Sequence, residues 1–461
     1  LDNDPHHGGQ QVLRLRFADG PVILYKPRDV RLDWFLVGAN RWRGAESAAT
    51  RMNRWMATSR RGGGGVPVHG IYPVNETHGY AEWLESCDDA LVERARPFCY
   101  ADRRFGNLDR ARGLRLRSEA EARAFWRSAG AMASQLALLG VSDQHVENLL
   151  VARAAGAPRA LLHPVDCEVA FVVGNGLGVT QLVPDRADQV GVHGATDHTH
   201  FGFDVRPSVI CSLGAEDWAL RRDARGALHL VDPPADIADR WQRHVVRNPD
   251  GSFGCTPYLG AILRGVVDHW DAVRAHRDEL TGAAARLLRG AAYRVLAKTT
   301  AAYGIPLRQR EMGCRLWPGA ASMRALADGR AFHPSELAQL DLFDVPKYER
   351  FVGGRRTIWR PDDSGRDVPA EKAIAAIPTW TSVSGAMHRH GAPGALANAL
   401  FDVIAFGAPS GAFDLEDEQH GVRVRRASDT APLELVVARA TAVARFRLDA
   451  DNRLFFSGLP G

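Results

Sequence analysis

The chain is poor in cysteine, with six in 461 residues: Cys87, Cys99, Cys167, Cys211, Cys255 and Cys314. No two form a CxxC pair, and none stands beside a His at zinc-ligand spacing. That argues against a structural zinc and against a disulfide framework. No apolar run is long enough to cross a bilayer as a helix. The opening Leu1-Asp2-Asn3-Asp4 carries neither Met nor a signal-peptide pattern. The expected compartment is the cytoplasm, and the start suggests a chain whose natural N-terminus lies upstream. Net charge is only +4 with His neutral, which gives no reason to expect nucleic acid as a partner. Lysine is scarce beside arginine, so Lys26 and Lys298 stand out. The Arg- and Gly-rich run 60–65 lacks the GK[ST] ending and the preceding strand of a phosphate loop, and reads as a linker. No internal repeat is found.

What is present is ordinary in bulk and specific in places. The hydrophobic fraction of 45% and charged fraction of 24% are those of a globular protein, long enough for two or three subdomains. Leu13, Leu15 and Phe17 alternate with Arg14 and Arg16, as in a half-buried strand. A turn at Ala18-Asp19-Gly20 and a partner strand from Val22 to Tyr25 complete a hairpin with Lys26 at its end. Glu46 to Met56 reads as a helix, and Val66 to Glu82 as short strands with Gly79-Tyr80 at a turn. Ser118 and Glu121 form a capping box before a stripe of Phe125, Trp126, Met132 and Leu136, and Gly140 closes that helix. Leu149 to Val151 and Ala160 to Leu162 read as strands, the second delivering Asp166. Residues 181–255 look irregular, and Thr256 to Tyr303 mostly helical, with Arg294 and Lys298 on one helical face. Alternating segments after Gly421 suggest a small antiparallel sheet.

The most informative run is Asp143-Gln144-His145-Val146-Glu147-Asn148, followed by Asp166-Cys167-Glu168. Phosphoryl transfer from a nucleotide needs a residue that orients or deprotonates the attacking hydroxyl, ligands for magnesium and a cation for the phosphates. Asp143 suits the first role, Asn148 and Asp166 the second, and Lys26 in Tyr25-Lys26-Pro27-Arg28 the third. His145 would steady the loop or touch phosphate. Each residue has a bland reading: a turn-forming Asx group, a strand-end Lys, a solvated acid. Glu168 is as readily a supporting group as a plain strand-end acid. Asp4-Pro5-His6-His7-Gly8-Gly9, taken alone, reads as a flexible terminus. The combination predicts an ATP- and magnesium-dependent enzyme with a helix, an Asp-bearing loop and a hairpin laid out as in a kinase C-lobe.

In order, these segments resemble the dehydratase domain of class II lanthipeptide synthetases over roughly residues 1–350. Asp4 to Gly9 is similar to that family's D-x-H-N-x-G element, Tyr25 to Arg28 to YKPR, Asp143 to Asn148 to D-x-H-x-E-N, and Asp166 to Glu168 to D-x-E. Arg294 to Tyr303 matches R-x3-R-x-T-x2-Y with Lys298 in place of the second Arg, and Phe343 to Tyr348 is a weaker match to D-I-P-Y-F. The resemblance implies an α+β, kinase-like (lipid-kinase-related) bilobal core with an added helical region. It also implies ATP-dependent phosphorylation of Ser and Thr in a precursor peptide, then elimination of phosphate to dehydroalanine or dehydrobutyrine. Lys26, Asp143, His145, Asn148 and Asp166 would serve phosphorylation; Asp4, His6, Arg294 and Thr300 would serve elimination.

The expected division is an N-lobe-like region over 1–115, a C-lobe-like catalytic region with a helical elimination segment over 116–350, and a divergent region over 351–461. No Cys/His cluster suits the family's zinc cyclase, so a separate cyclase or other tailoring enzyme is the expected partner. Gln10 and Lys298 each stand where the family often has Arg. The alternative is a peptide or small-molecule kinase that stops before elimination.

Overall fold

The computed structural model describes residues 10–58, 65–91, 112–183 and 245–298 almost continuously. It also describes parts of 303–403, two strands between 219 and 231, and strands between 415 and 458. The described residues form seven α-helices and several small sheets, a mixed α/β architecture. None of those helices is long and apolar enough to cross a membrane.

The first hairpin forms as its alternation dictates: Leu13–Arg16 pairs antiparallel with Val22–Lys26, and Lys26 is the last strand residue. A second hairpin, Ile71–Pro73 with Gly79–Glu82, extends this to a four-stranded sheet. Gly79 and Tyr80 thus lie within a strand and not at a turn. The turn falls earlier, where Asn75 Oδ1 accepts hydrogen bonds from the backbone N–H groups of Thr77 and His78. Behind the sheet sit the apolar helix Arg31–Val37, whose Trp34, Phe35 and Leu36 are fully buried, and the helix Ala48–Thr58.

The long helix Glu119–Ala137 starts as expected, with Ser118 Oγ accepting from the Glu121 N–H at 3.2 Å. Glu121 reaches back one residue further than the usual box, to the Arg117 N–H at 2.7 Å. Its apolar stripe packs against the helix Leu259–Ala275. Gly130 and Gly265 let the two backbones approach: a Cβ on Gly265 would collide with the Arg127 carbonyl, and one on Gly130 with that of Ile262. The chain turns at Gly140, with φ of 59°. It then enters the Asp143 loop and the hairpin Leu149–Ala152 with Leu161–Pro164.

One expected helix is not there. Leu259–Ala275 and Arg277–Leu287 are helical, but Gly290 turns the chain at φ of 66° and Ala292–Val295 is a strand. It pairs with Tyr348–Phe351 and heads a four-stranded sheet. Arg294 and Lys298 therefore share no helical face, and the segment expected to be helical is a strand at its Arg294 end. Tyr293 and Val295 favour extended backbone, and the strand 348–351, distant in sequence, supplies the hydrogen bonds. Farther on, five strands from Leu415–Asp417 to Leu454–Gly458 form an antiparallel sheet, as the alternation after Gly421 predicts.

Two core imidazoles make stability depend on pH. Burial holds His163 down to about 4 and His269 down to about 3. His269 is neutral between two partners: its Nε2–H donates to Gln135 Oε1, and its Nδ1 accepts from the Ser134 hydroxyl, both at 2.7 Å. A free imidazole titrates near about 6.5. As pH falls below that value the unfolded chain takes up protons that the folded chain refuses. This stabilisation is complete above about 6.5 and is lost toward 4, by about 2 kcal/mol per imidazole at pH near 5. Urea titrations across that window are expected to show the decline, and His163→Leu to make it shallower.

Candidate active site

The site is built on a buried arginine at the end of the first hairpin. Arg28 is 8% exposed and forks onto Asp33, with Nη1 to Oδ2 at 2.6 Å and Nη2 to Oδ1 at 2.9 Å. The same guanidinium reaches Asp166 Oδ1 at 2.6 Å and Glu168 Oε2 at 3.3 Å. Lys26 lies alongside, its Nζ donating to the Val165 carbonyl at 2.5 Å and to Asp33 Oδ1 at 3.3 Å. Burial alone would raise the Asp33 carboxyl, but the charges of Arg28 and Lys26 outweigh it and hold it well below the usual carboxylate range. Burial likewise opposes the charge on Arg28, and Asp166, Asp33 and Glu168 more than restore it.

The Asp143 loop docks against the same segment. Asp143 adopts the left-handed conformation, φ 65°, which is uncommon for a residue with a side chain. Backbone bonds tie the Ser142 N–H to the Val169 carbonyl at 2.9 Å and the Val165 N–H to the Asn148 carbonyl at 2.9 Å. The Gln144 side-chain amide bonds the Asp166 carbonyl. Inside the loop, Asn148 Nδ2 donates to the Asp143 carbonyl at 2.6 Å, and His145 Nε2 lies 3.7 Å from Asp143 Oδ1. The loop and the 165–169 segment thus hold each other in place.

A third layer comes from the strand Ala292–Val295. The Arg294 N–H donates to the Glu168 carbonyl at 2.8 Å, and its Nη1 to Glu168 Oε1 at 2.9 Å. Lys347 Nζ meets the other Glu168 oxygen at 2.9 Å. Glu168 is therefore a shared counter-ion for Arg28, Arg294 and Lys347. Burial works against the Arg294 charge, while Glu168, Asp143 and Asp166 support it, so the guanidinium lies within electrostatic reach of the Asp143 loop. Its Nε and Nη2 are buried without a hydrogen-bond partner among the described residues. Such atoms are costly unless something accepts from them. Cys167, between two of these acids in sequence, is inert: burial, then Asp33 and Asp166, push its thiol well up.

Of the residues expected from sequence, Lys26, Asp143, His145, Asn148, Asp166 and Arg294 come together here. Asp4, His6 and Thr300 lie outside the described residues. Lys298, by contrast, is engaged by Glu336 at 2.7 and 2.8 Å. Sequence reasoning missed Asp33 and Lys347. The only signal for Asp33 was a carboxylate inside the otherwise apolar stretch Leu32–Val37.

Among the described residues, no group of three or more His, Cys, Asp or Glu is arranged to hold a metal ion. Magnesium seldom needs one, because it keeps several waters and takes one or two protein oxygens with those of a phosphate. The Asp166 side chain is 35% exposed, and its hydrogen bonds with described residues fall on Oδ1. Asn148 has its amide nitrogen engaged, so Oδ1 would be its ligating atom. These two residues fit a magnesium–phosphate ligand, and the unpartnered N–H groups of Arg294 fit an anionic oxygen.

Fold and site define a mixed α/β protein with a buried cationic cluster arranged around three acids. Residues 1–106 match the family described as "Domain of unknown function (DUF4135)", a stretch that includes Lys26, Arg28 and Asp33. No curated protein matches the chain.

Asp33→Asn is expected to remove the counter-charge that a buried guanidinium and ammonium share. We expect a loss of about 3–5 kcal/mol in denaturant unfolding, well above the cost of an Arg41→Ala change at an exposed pair.

Proposed function

We propose that this protein is a peptide Ser/Thr dehydratase that acts through a phosphorylated intermediate on a kinase-like, lipid-kinase-related core. The observation that carries the reading is the convergence of Asp143, Asn148, Asp166 and Lys26 with a buried guanidinium, Arg294, that has N–H groups to spare. The family matched over residues 1–106 is associated with lanthionine synthetase-like proteins, which agrees with it.

The chemistry assigned to the residues is as follows. Asp143 orients the Ser or Thr hydroxyl of the peptide and accepts its proton as the oxygen attacks the γ-phosphorus of ATP, with ADP leaving. Lys26 supplies positive charge to the phosphates. Magnesium, when held by Asn148 and Asp166, would neutralise developing phosphate charge. In the second step a base takes the α-proton of the phosphorylated residue. The Cα–H electrons form the double bond, the Cβ–O bond breaks, and phosphate departs with the bonding pair. Arg294 receives that phosphate through its forked N–H groups. Asp4, His6 and Thr300 are the candidates for moving the proton. The net change is loss of one water from the peptide and conversion of ATP to ADP and phosphate. The substrate would be a precursor peptide, the compartment the cytoplasm, and a separate enzyme would act on the dehydroamino acids.

A second reading, a kinase that stops at the phosphopeptide, is favoured by one observation. Lys298, at the second Arg of the family's elimination motif, is committed to Glu336.

Mass spectrometry decides between them. A Ser/Thr-containing peptide encoded beside this gene, incubated with enzyme, ATP and magnesium, is expected to lose water. Gain of phosphate without loss of water would establish the kinase reading. Arg294→Ala is expected to accumulate phosphopeptide, and Asp143→Asn to slow formation of both products by about 10²–10⁴-fold. Wild-type dehydration by Arg294→Ala would remove Arg294 from the second step.

A further inference from the structure

Two arginines of the cluster each meet a carboxylate, and they meet it differently. Arg28 forks onto Asp33 with both oxygens engaged, at 2.6 and 2.9 Å. A guanidinium and a carboxylate adopt that arrangement when nothing prevents it, because two parallel N–H bonds then serve one charge pair. Arg294 is as close to Glu168 but uses Nη1 alone, at 2.9 Å. Its Nε and Nη2 have no acceptor among the described residues, although the residue is only 7% exposed. Those two nitrogens point their N–H bonds along one edge of the guanidinium, so what is left over is itself a fork. End-on pairing with Glu168 through Nη1 and Nη2 would use up Nη2 and destroy that fork.

Lys347 stands in the way of the pairing. Its Nζ holds Glu168 Oε2 at 2.9 Å, nearer than Arg28 Nε at 3.3 Å. Lys347 is buried, and its backbone N–H donates to Gln339 Oε1 at 2.8 Å. It lies two residues before Glu349, the register partner of Arg294 across the strands Ala292–Val295 and Tyr348–Phe351. Residues two apart on an extended chain share a face. Lys347 and Arg294 therefore reach the same carboxylate from one sheet. Glu349 Oε1, at 4.0 Å, is a second acid beside the ammonium. A lysine suits this place because its ammonium is a compact point donor that fills one oxygen and leaves the other.

We infer that Lys347 is a positioning residue: by occupying Glu168 Oε2 it keeps the Nε and Nη2 fork of Arg294 open for a tetrahedral oxyanion of the phosphate class. Calling that anion the phosphate that leaves the peptide rests on the dehydratase reading; the open fork rests on the contacts alone. Without Lys347, Oε2 turns to Arg294 Nη2, and the fork closes on the protein's own acid.

The probe is inorganic phosphate, titrated calorimetrically into the full chain without ATP or peptide. Lys347→Met is expected to weaken phosphate binding at least about tenfold, the worth of one hydrogen bond to a charged group. Lys347→Gln carries no charge either, but its amide can still donate to Oε2, so it is expected to lose clearly less. Arg294→Lys has no fork, and in that background Lys347→Met is expected to change the affinity by less than about twofold. Four results would each overturn the inference: no phosphate binding by the wild-type chain, unchanged binding by Lys347→Met, equal losses in the Met and Gln variants, or equal losses with and without Arg294→Lys. The last two would make Lys347 a plain source of charge. If Lys347→Met does not fold, Lys347→Gln takes its place in the cycle. The dehydratase reading fails separately: a wild-type chain that binds phosphate in this Lys347-dependent way but leaves a synthetic phosphoserine peptide intact would lose that reading and keep the fork.

Discussion

Everything in the site depends on a guanidinium that has been taken out of water. Arg28 meets three carboxylates from two distant stretches of chain, and neither side of that arrangement is tolerable alone. A buried charge without a partner is strongly destabilising, and three acids crowded together repel. Only Arg has a planar fork wide enough to satisfy Asp33 at both oxygens and still reach Asp166 with the same nitrogen. Since Asp33 sits on an apolar helix and Asp166 beyond a hairpin, the ion pairs also register these elements against each other.

The cluster satisfies its charged members unequally. Asp166 is tied to Arg28 on one oxygen and Glu168 is saturated by three cations, whereas Arg294 has N–H groups left over. The Arg294 guanidinium is therefore held through Nη1, while its Nε and Nη2 have no acceptor among the described residues. Preorganised donors of this kind need little reorganisation when charge develops beside them. The neutral core histidines stand outside this network and tune stability with pH instead.

Much of this was legible in the sequence wherever structure is local. The first hairpin follows from alternation, the Glu119–Ala137 helix from Ser118 and its stripe, and the approach to Asp166 from two short apolar runs around a turn. The Asp143 loop and Lys26 were recognisable by residue type and spacing. What could not be read was non-local. Ala292–Val295 looks helical in isolation and becomes a strand because Tyr348–Phe351 lies beside it. Asp33 is invisible without Arg28, and Lys347 without Glu168. A carboxylate's partner sets its meaning, and sequence does not display partners.

The link between Glu168 and Arg294 spans 126 residues of chain. A ribosome adds about 5–20 residues per second, so Glu168 emerges roughly 6 to 25 seconds before the arginine that will cover it. During that interval Asp33 and Arg28 can already pair, but Glu168 still lacks its later cations. Lys347, 179 residues beyond Glu168, is made later still, so a nascent chain halted before the 292–295 strand would hold Glu168 with Arg28 alone of its three cations.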